Sequence, residues 1–156
     1  MISNPRDLVV QLLGELLFVE RRLADRVIAE VADAVGDEEL EALLREHREE
    51  TRQHVERIET AFRRLEVAPS SNLSHSFESA VAEHDAVAPS IVEQRLADLF
   101  HAHAALHVEH RELAAYRVLL PLLPQDAAEL LRPSYVEEGE AAKRLVQILD
   151  RLADEN

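Results

Sequence analysis

Four glutamates stand where a helical apolar stripe calls for a hydrophobic side chain. Glu20 continues a series of Leu13, Leu16, Leu23 and Val27 at alternating spacings of three and four. Glu50 lies between His47 and His54, Glu109 between Leu106 and Leu113, and Glu138 between Leu131 and Leu145. A buried, unpaired carboxylate costs several kcal/mol, so one such position is an oddity and four form a pattern. A divalent cation, or two, would satisfy them together. The spacing also repeats: Glu20 to Glu50 is 30 residues, and Glu109 to Glu138 is 29. His54 follows Glu50 by four residues, on the same helical face. Ala142 holds the equivalent place after Glu138. Carboxylate with imidazole suits iron or manganese better than calcium or copper.

Four long helices are needed to bring these residues together. Asn4-Pro5 reads as an N-cap followed by proline at the first helical position, opening a helix that runs to about Val35. Gly36-Asp37 ends it and starts a second, with a stripe through Leu40, Leu43, His47, Glu50, His54, Ile58 and Leu65. Each is on the order of 45 Å long, and the short link makes an antiparallel hairpin. Residues 68–72 break the pattern, and a short helix is expected over 77–87. A third long helix starts between Ser90 and Leu96 and is stopped by Pro121 and Pro124. The fourth begins near Gln125, with Pro133 kinking it or splitting off its start. The reading is all-α: one domain over 1–156, a four-helix bundle with a short extra helix in the long connection between the second and third helices.

Composition narrows the function classes. The chain has 156 residues, net charge −14, no cysteine, and 47% hydrophobic residues, which suits a packed domain. Zero cysteine removes thiolate metal sites and thiol nucleophiles and fits a reducing cytoplasm. The acidity argues against nucleic acid as a partner. No apolar run approaches the roughly 20 residues of a membrane span. There is no Gly-rich phosphate loop or nucleophile elbow.

Several segments carry a resemblance. Arg6-Asp7-Leu8, Glu20, Asp37-Glu38-Glu39-Leu40, the run from His47 through Glu50 and His54 to Glu59, Glu109-His110-x-Glu112-x-Ala114-Ala115-Tyr116 and Glu137-Glu138 resemble the YciE/YciF family of ferritin-like bacterial proteins. The likeness spans about residue 5 to 152 and is weakest over 70–95. It implies a ferritin-like bundle, a homodimer, a stress-associated role and a rubrerythrin-like metal site. Carried over position by position, the candidate ligands are Glu20, Glu50, His54, Glu109 and Glu138, with Glu112 as a sixth. A reduced iron or manganese ion with open positions would support redox chemistry with oxygen or peroxide.

Other residues receive plainer readings. His47 is expected to support the site or an interface. His101, His103, His107 and His110 are expected to be mostly exposed, and the acid run 137–140 mostly solvated. Leu17, Phe18 and Val31 are the expected residual apolar stripe for a dimer. A rival reading stays open: with Ala142 in place of a ligand, the site has decayed, and the protein is a non-enzymatic dimeric helical module whose buried carboxylates pair with groups such as Arg57. Iron storage would need a hollow shell that nothing in the sequence demands.

Overall fold

Asn4 opens the first helix by accepting the Asp7 amide at 2.9 Å, with Pro5 in the first helical position. The computed structural model describes residues 1–154. Helix α1 (Pro5–Arg22) passes through a π-helical turn (Leu23–Val27) into α2 (Ile28–Ala34), making one rod. The wide turn begins three residues beyond Glu20, and no sequence signal announced it. Arg48 Nε donates to the Ala24 carbonyl inside it at 2.8 Å, giving the loosened backbone a partner. Asp37 caps α3 (Glu38–Arg64) by accepting the Leu40 amide at 2.9 Å. The connection carries α4 (His75–Val87) and a short 3-10 turn. Helices α5 (Gln94–Leu122) and α6 (Gln125–Asp154) complete the bundle. No strand occurs among the described residues, and no helix is long and apolar enough to cross a membrane.

α1 packs on α3 and α5, and α6 packs on the same two helices. The four long helices therefore form a square in which α3 and α5 lie across a diagonal. That is why their connection is long. It is pinned where Asn72 crosses α1: its amide donates to the Gly14 carbonyl at 2.9 Å. A β-carbon at Gly14 would come within 2.3 Å of the Asn72 side chain, so glycine permits this close approach.

Two apolar clusters fill the bundle. One holds Leu13, Leu17, Ile58, Phe62, Leu119 and Leu131; the other holds Val19, Leu23, Leu40, Leu43, Leu145 and Ile148. The buried polar residues Glu20, His47, Thr51, His54, Glu109, Glu112 and Glu138 lie along the helices between those two sets.

Three expectations need correction. Leu17 is wholly buried in the core, while Phe18 and Val31 are half-buried, so Leu17 takes no part in an exposed stripe. Pro133 neither splits nor ends α6, which is continuous across it. Pro133 and Glu129, whose carbonyl loses its helical donor, are both exposed, so the lost bond lies on the solvent side of the helix. For a similar reason α5 runs past the exposed Pro121 and stops only before Pro124.

The cap on α3 gives a test independent of the centre. Asp37 also accepts Arg151 Nη2 at 2.8 and 2.9 Å, joining the helix start to the end of α6. Asp37→Ala is expected to lower stability by about 1–2 kcal/mol in urea denaturation. An unchanged midpoint would mean the cap contributes nothing.

Candidate metal centre

All four long helices contribute to the polar layer. Glu20 comes from α1, His47 and His54 from α3, Glu109 and Glu112 from α5, and Glu138 from α6. His47 and His54 are seven residues apart, two helical turns, so both imidazoles face the axis. Glu20, His54 and Glu138 form one triad and His47, Glu109 and Glu138 another, each with ligand atoms within 4.8 Å of one another. Glu138 belongs to both.

The separations are short. His54 Nδ1 is 2.8 Å from Glu138 Oε1 and 3.2 Å from Glu20 Oε1. His47 Nε2 is 3.1 Å from Glu109 Oε1 and 3.5 Å from Glu138 Oε2. Yet His54 Nδ1, His47 Nε2 and both Glu138 oxygens make no hydrogen bond of proper geometry. Among the described residues, every buried side-chain nitrogen or oxygen without a hydrogen-bond partner belongs to Glu20, His47, His54, Glu109, Glu112 or Glu138. Lone pairs drawn together without hydrogen bonds suit a shared cation better than a proton network.

Each imidazole is held from behind. His47 Nδ1 is 3.2 Å from Glu50 Oε2, and His54 Nε2 is 2.8 Å from Glu137 Oε2. With the ring N–H donating to that rear carboxylate, the opposite nitrogen presents its lone pair to the centre. Arg57 Nη1 donates to Glu137 at 2.6 Å and to Ser134 Oγ at 3.1 Å, fixing the carboxylate in turn. Glu50 is therefore set apart from both triads: half-buried, it stands behind His47. Glu137 is bonded to His54 and Arg57 rather than solvated, and Arg57 neutralises Glu137 rather than a central glutamate.

Electrostatics mark the same cluster. Burial, then the Glu138 charge, raises the Glu20 carboxyl to about 7. Burial, then Glu109, raises Glu138 to about 8. Glu112, wholly buried beside three other glutamates, is held well above the ordinary carboxylate range, by burial first. Burial alone would depress both histidines. For His54 the Glu20 and Glu138 carboxylates overturn this and lift it to about 10. For His47, Glu109 leads Glu50 and Glu138 in raising it well above its usual value. Without a cation, the centre must carry protons in its place.

The donors fit hard or borderline divalent ions. Two such ions would match the charge of four ionised carboxylates, with both imidazoles neutral. A second feature meets the layer from outside: a cavity of about 250 Å³ between α1 and α5 reaches Glu112.

Known proteins share this arrangement of the chain. A family model described as "Domain of unknown function (DUF892)" matches residues 4–156. The chain belongs to the DUF892 family. Protein YciF of Escherichia coli (strain K12) is 31% identical over 142 residues, covering 85% of this chain and 82% of that protein. The crystal structure of the E. coli stress protein YciF matches with a TM-score of 0.91 and 25% identity, covering 99% of this chain and 100% of that one. A two-domain Anabaena variabilis protein with DJ-1/ThiJ/PfpI-like and ferritin-like domains matches with a TM-score of 0.68 and 19% identity. That match covers 99% of this DUF892 chain and 39% of the Anabaena chain, and it shows the ferritin-like fold alone. The YciE/YciF resemblance and the all-α ferritin-like expectation both hold.

Proposed function

We propose that this DUF892 protein binds two divalent iron or manganese ions at the bundle centre and uses them in redox chemistry with oxygen or peroxide. The observation that carries the reading is the gathering of unpartnered buried donor atoms on six residues from four helices. His54, Glu20 and Glu138 would hold one ion and His47, Glu109 and Glu138 the other; Glu112, buried and without a hydrogen-bond partner, lies near them outside both triads. Bound reduced metal supplies electrons and open positions for an oxidant. The chain's own residues prepare the place: Glu50 and Glu137 orient the imidazoles, and apolar clusters flank the polar layer on either side. Ala142 is no obstacle, because His47 supplies the imidazole that the repeat lacks at that end of Glu138. The relative named a stress protein supports a stress-associated role, and the reading includes a cytoplasmic homodimer.

Elemental analysis after loading with Fe²⁺ or Mn²⁺ tests this. The wild-type chain should hold about two ions, and Glu138→Ala should lose both, since it removes the shared ligand. Fewer than about 0.1 ion per chain would overturn the reading in favour of a decayed site in an interaction module. Glu50→Gln and Glu137→Gln should each weaken metal affinity by about 10- to 100-fold, as loss of an imidazole's rear partner does. Equal affinity for wild type and both variants in a competitive chelator titration would remove the orienting role.

A further inference from the structure

A cavity of about 260 Å³ opens beside the π-helical turn, between that rod, α4 and α5. Its walls are apolar, with Leu23, Val27, Phe77, Val81 and Val108 among them. Its inner end is different, because His47 and Glu109 also line it. Each is only 4% exposed, and each keeps a polar atom without a hydrogen-bond partner, His47 Nε2 and Glu109 Oε2. The outer end carries His84, stacked on Phe100 with ring centroids 5.6 Å apart, and the His103–His107 pair, 4.3 Å apart. The cavity is thus an apolar passage ending on unsatisfied polar atoms, the arrangement that orients small-molecule ligands.

We propose that this cavity binds a small amphipathic molecule: a compact hydrocarbon body of about ten non-hydrogen atoms with one hydrogen-bonding head group, the head meeting His47 and Glu109. Size sets the body, since an apolar cavity of about 150 Å³ already takes a benzene ring. A wholly apolar ligand would leave Nε2 and Oε2 without partners. A strongly polar one would lose its water to the walls of Leu23, Val27 and Phe77. The inference rests on the metal reading for what the head group meets in the loaded protein; filling the cavity does not depend on metal.

The experiment uses the full chain, freed of metal by chelator, and cumyl alcohol as probe. Titration followed by amide NMR is expected to saturate at one molecule per chain with a Kd of about 1 mM or tighter. The shifts should centre on Phe77, Val81, Ala105 and Val108. Ala105→Phe, which plugs the passage, should weaken binding by about tenfold or more. Val81→Trp gives a second plug should the first not fold. No saturable binding, shifts centred elsewhere, or unchanged affinity in a folded plugged variant overturns the proposal. Shifts that follow protein concentration instead of probe would assign the cavity to a second copy of the chain and also overturn it. Probe binding without metal uptake in the loading assay supports the cavity and counts against the metal centre. Metal uptake without probe binding does the reverse.

Discussion

Replacing Glu112 with leucine is expected to stabilise the metal-free protein, by about 1–3 kcal/mol. Most substitutions of a buried residue destabilise, so the sign is diagnostic. Glu112 is 1% exposed, and neither of its oxygens has a hydrogen-bond partner. Its neighbours include Glu20, Glu109 and Glu138, all of which disfavour its charge. Leucine of similar volume removes that penalty and leaves no cation stranded. Urea denaturation of chelator-treated protein measures the gain, and thermal unfolding should rise by several degrees with it. In loaded protein the gain should shrink, since the variant removes a carboxylate beside both triads. A lower urea midpoint in the metal-free variant would mean that Glu112 contributes to the fold, and the functional account of its burial would fail.

Raising the pH from 6 to 9 is expected to cost the metal-free protein about 3 kcal/mol or more of stability. Folding lifts Glu20 from 4.5 to about 7 and Glu138 from 4.5 to about 8, by burial first. It lifts His54 from 6.5 to about 10, as Glu20 and Glu138 overcome burial. All three shifts are upward, so across these ranges the folded chain holds protons that the unfolded chain has released. The carboxyl contribution is complete below about pH 4.5 and is lost as pH rises through 7 and 8. The His54 contribution is complete below about 6.5 and is lost as pH approaches 10. Saturating Mn²⁺ should cancel the decline, because metal replaces these protons and binds better as they leave. At about 100 times Kd per site it should add about 2.7 kcal/mol. Thermal unfolding followed by circular dichroism from pH 6 to 9, with and without Mn²⁺, reads both effects. A metal-free midpoint that climbs across this range would mean the cluster does not hold protons in place of a cation.

The difference between Glu50 and His47 shows where the sequence stops. Both lie on the α3 stripe, and spacing from His54 alone favoured Glu50 as the ligand. At 100° per residue, however, His47 and His54 differ by about 20°, whereas Glu50 sits about 40–60° off their line. That deviation is enough to place Glu50 behind the imidazole instead of in front of it. The seven-residue interval was the signal that could have identified His47. Glu137 had no comparable signal, since its pairing with His54 and Arg57 crosses from α6 to α3. The π-helical turn and the cavity beside it were likewise not legible, because a wide turn depends on tertiary packing as well as local propensity.

The sequence by itself determined the helices, their caps, the crossover connection and the four carboxylates on core stripes. Periodicity and capping act within one helix, so one chain segment carries the information. Only the tertiary structure decided which carboxylate belongs to both triads, that His47 faces inward along with His54, and which acids stand behind them. Those choices depend on the rotation of four helices about their own axes, and that is settled by the apolar clusters on both sides of the polar layer.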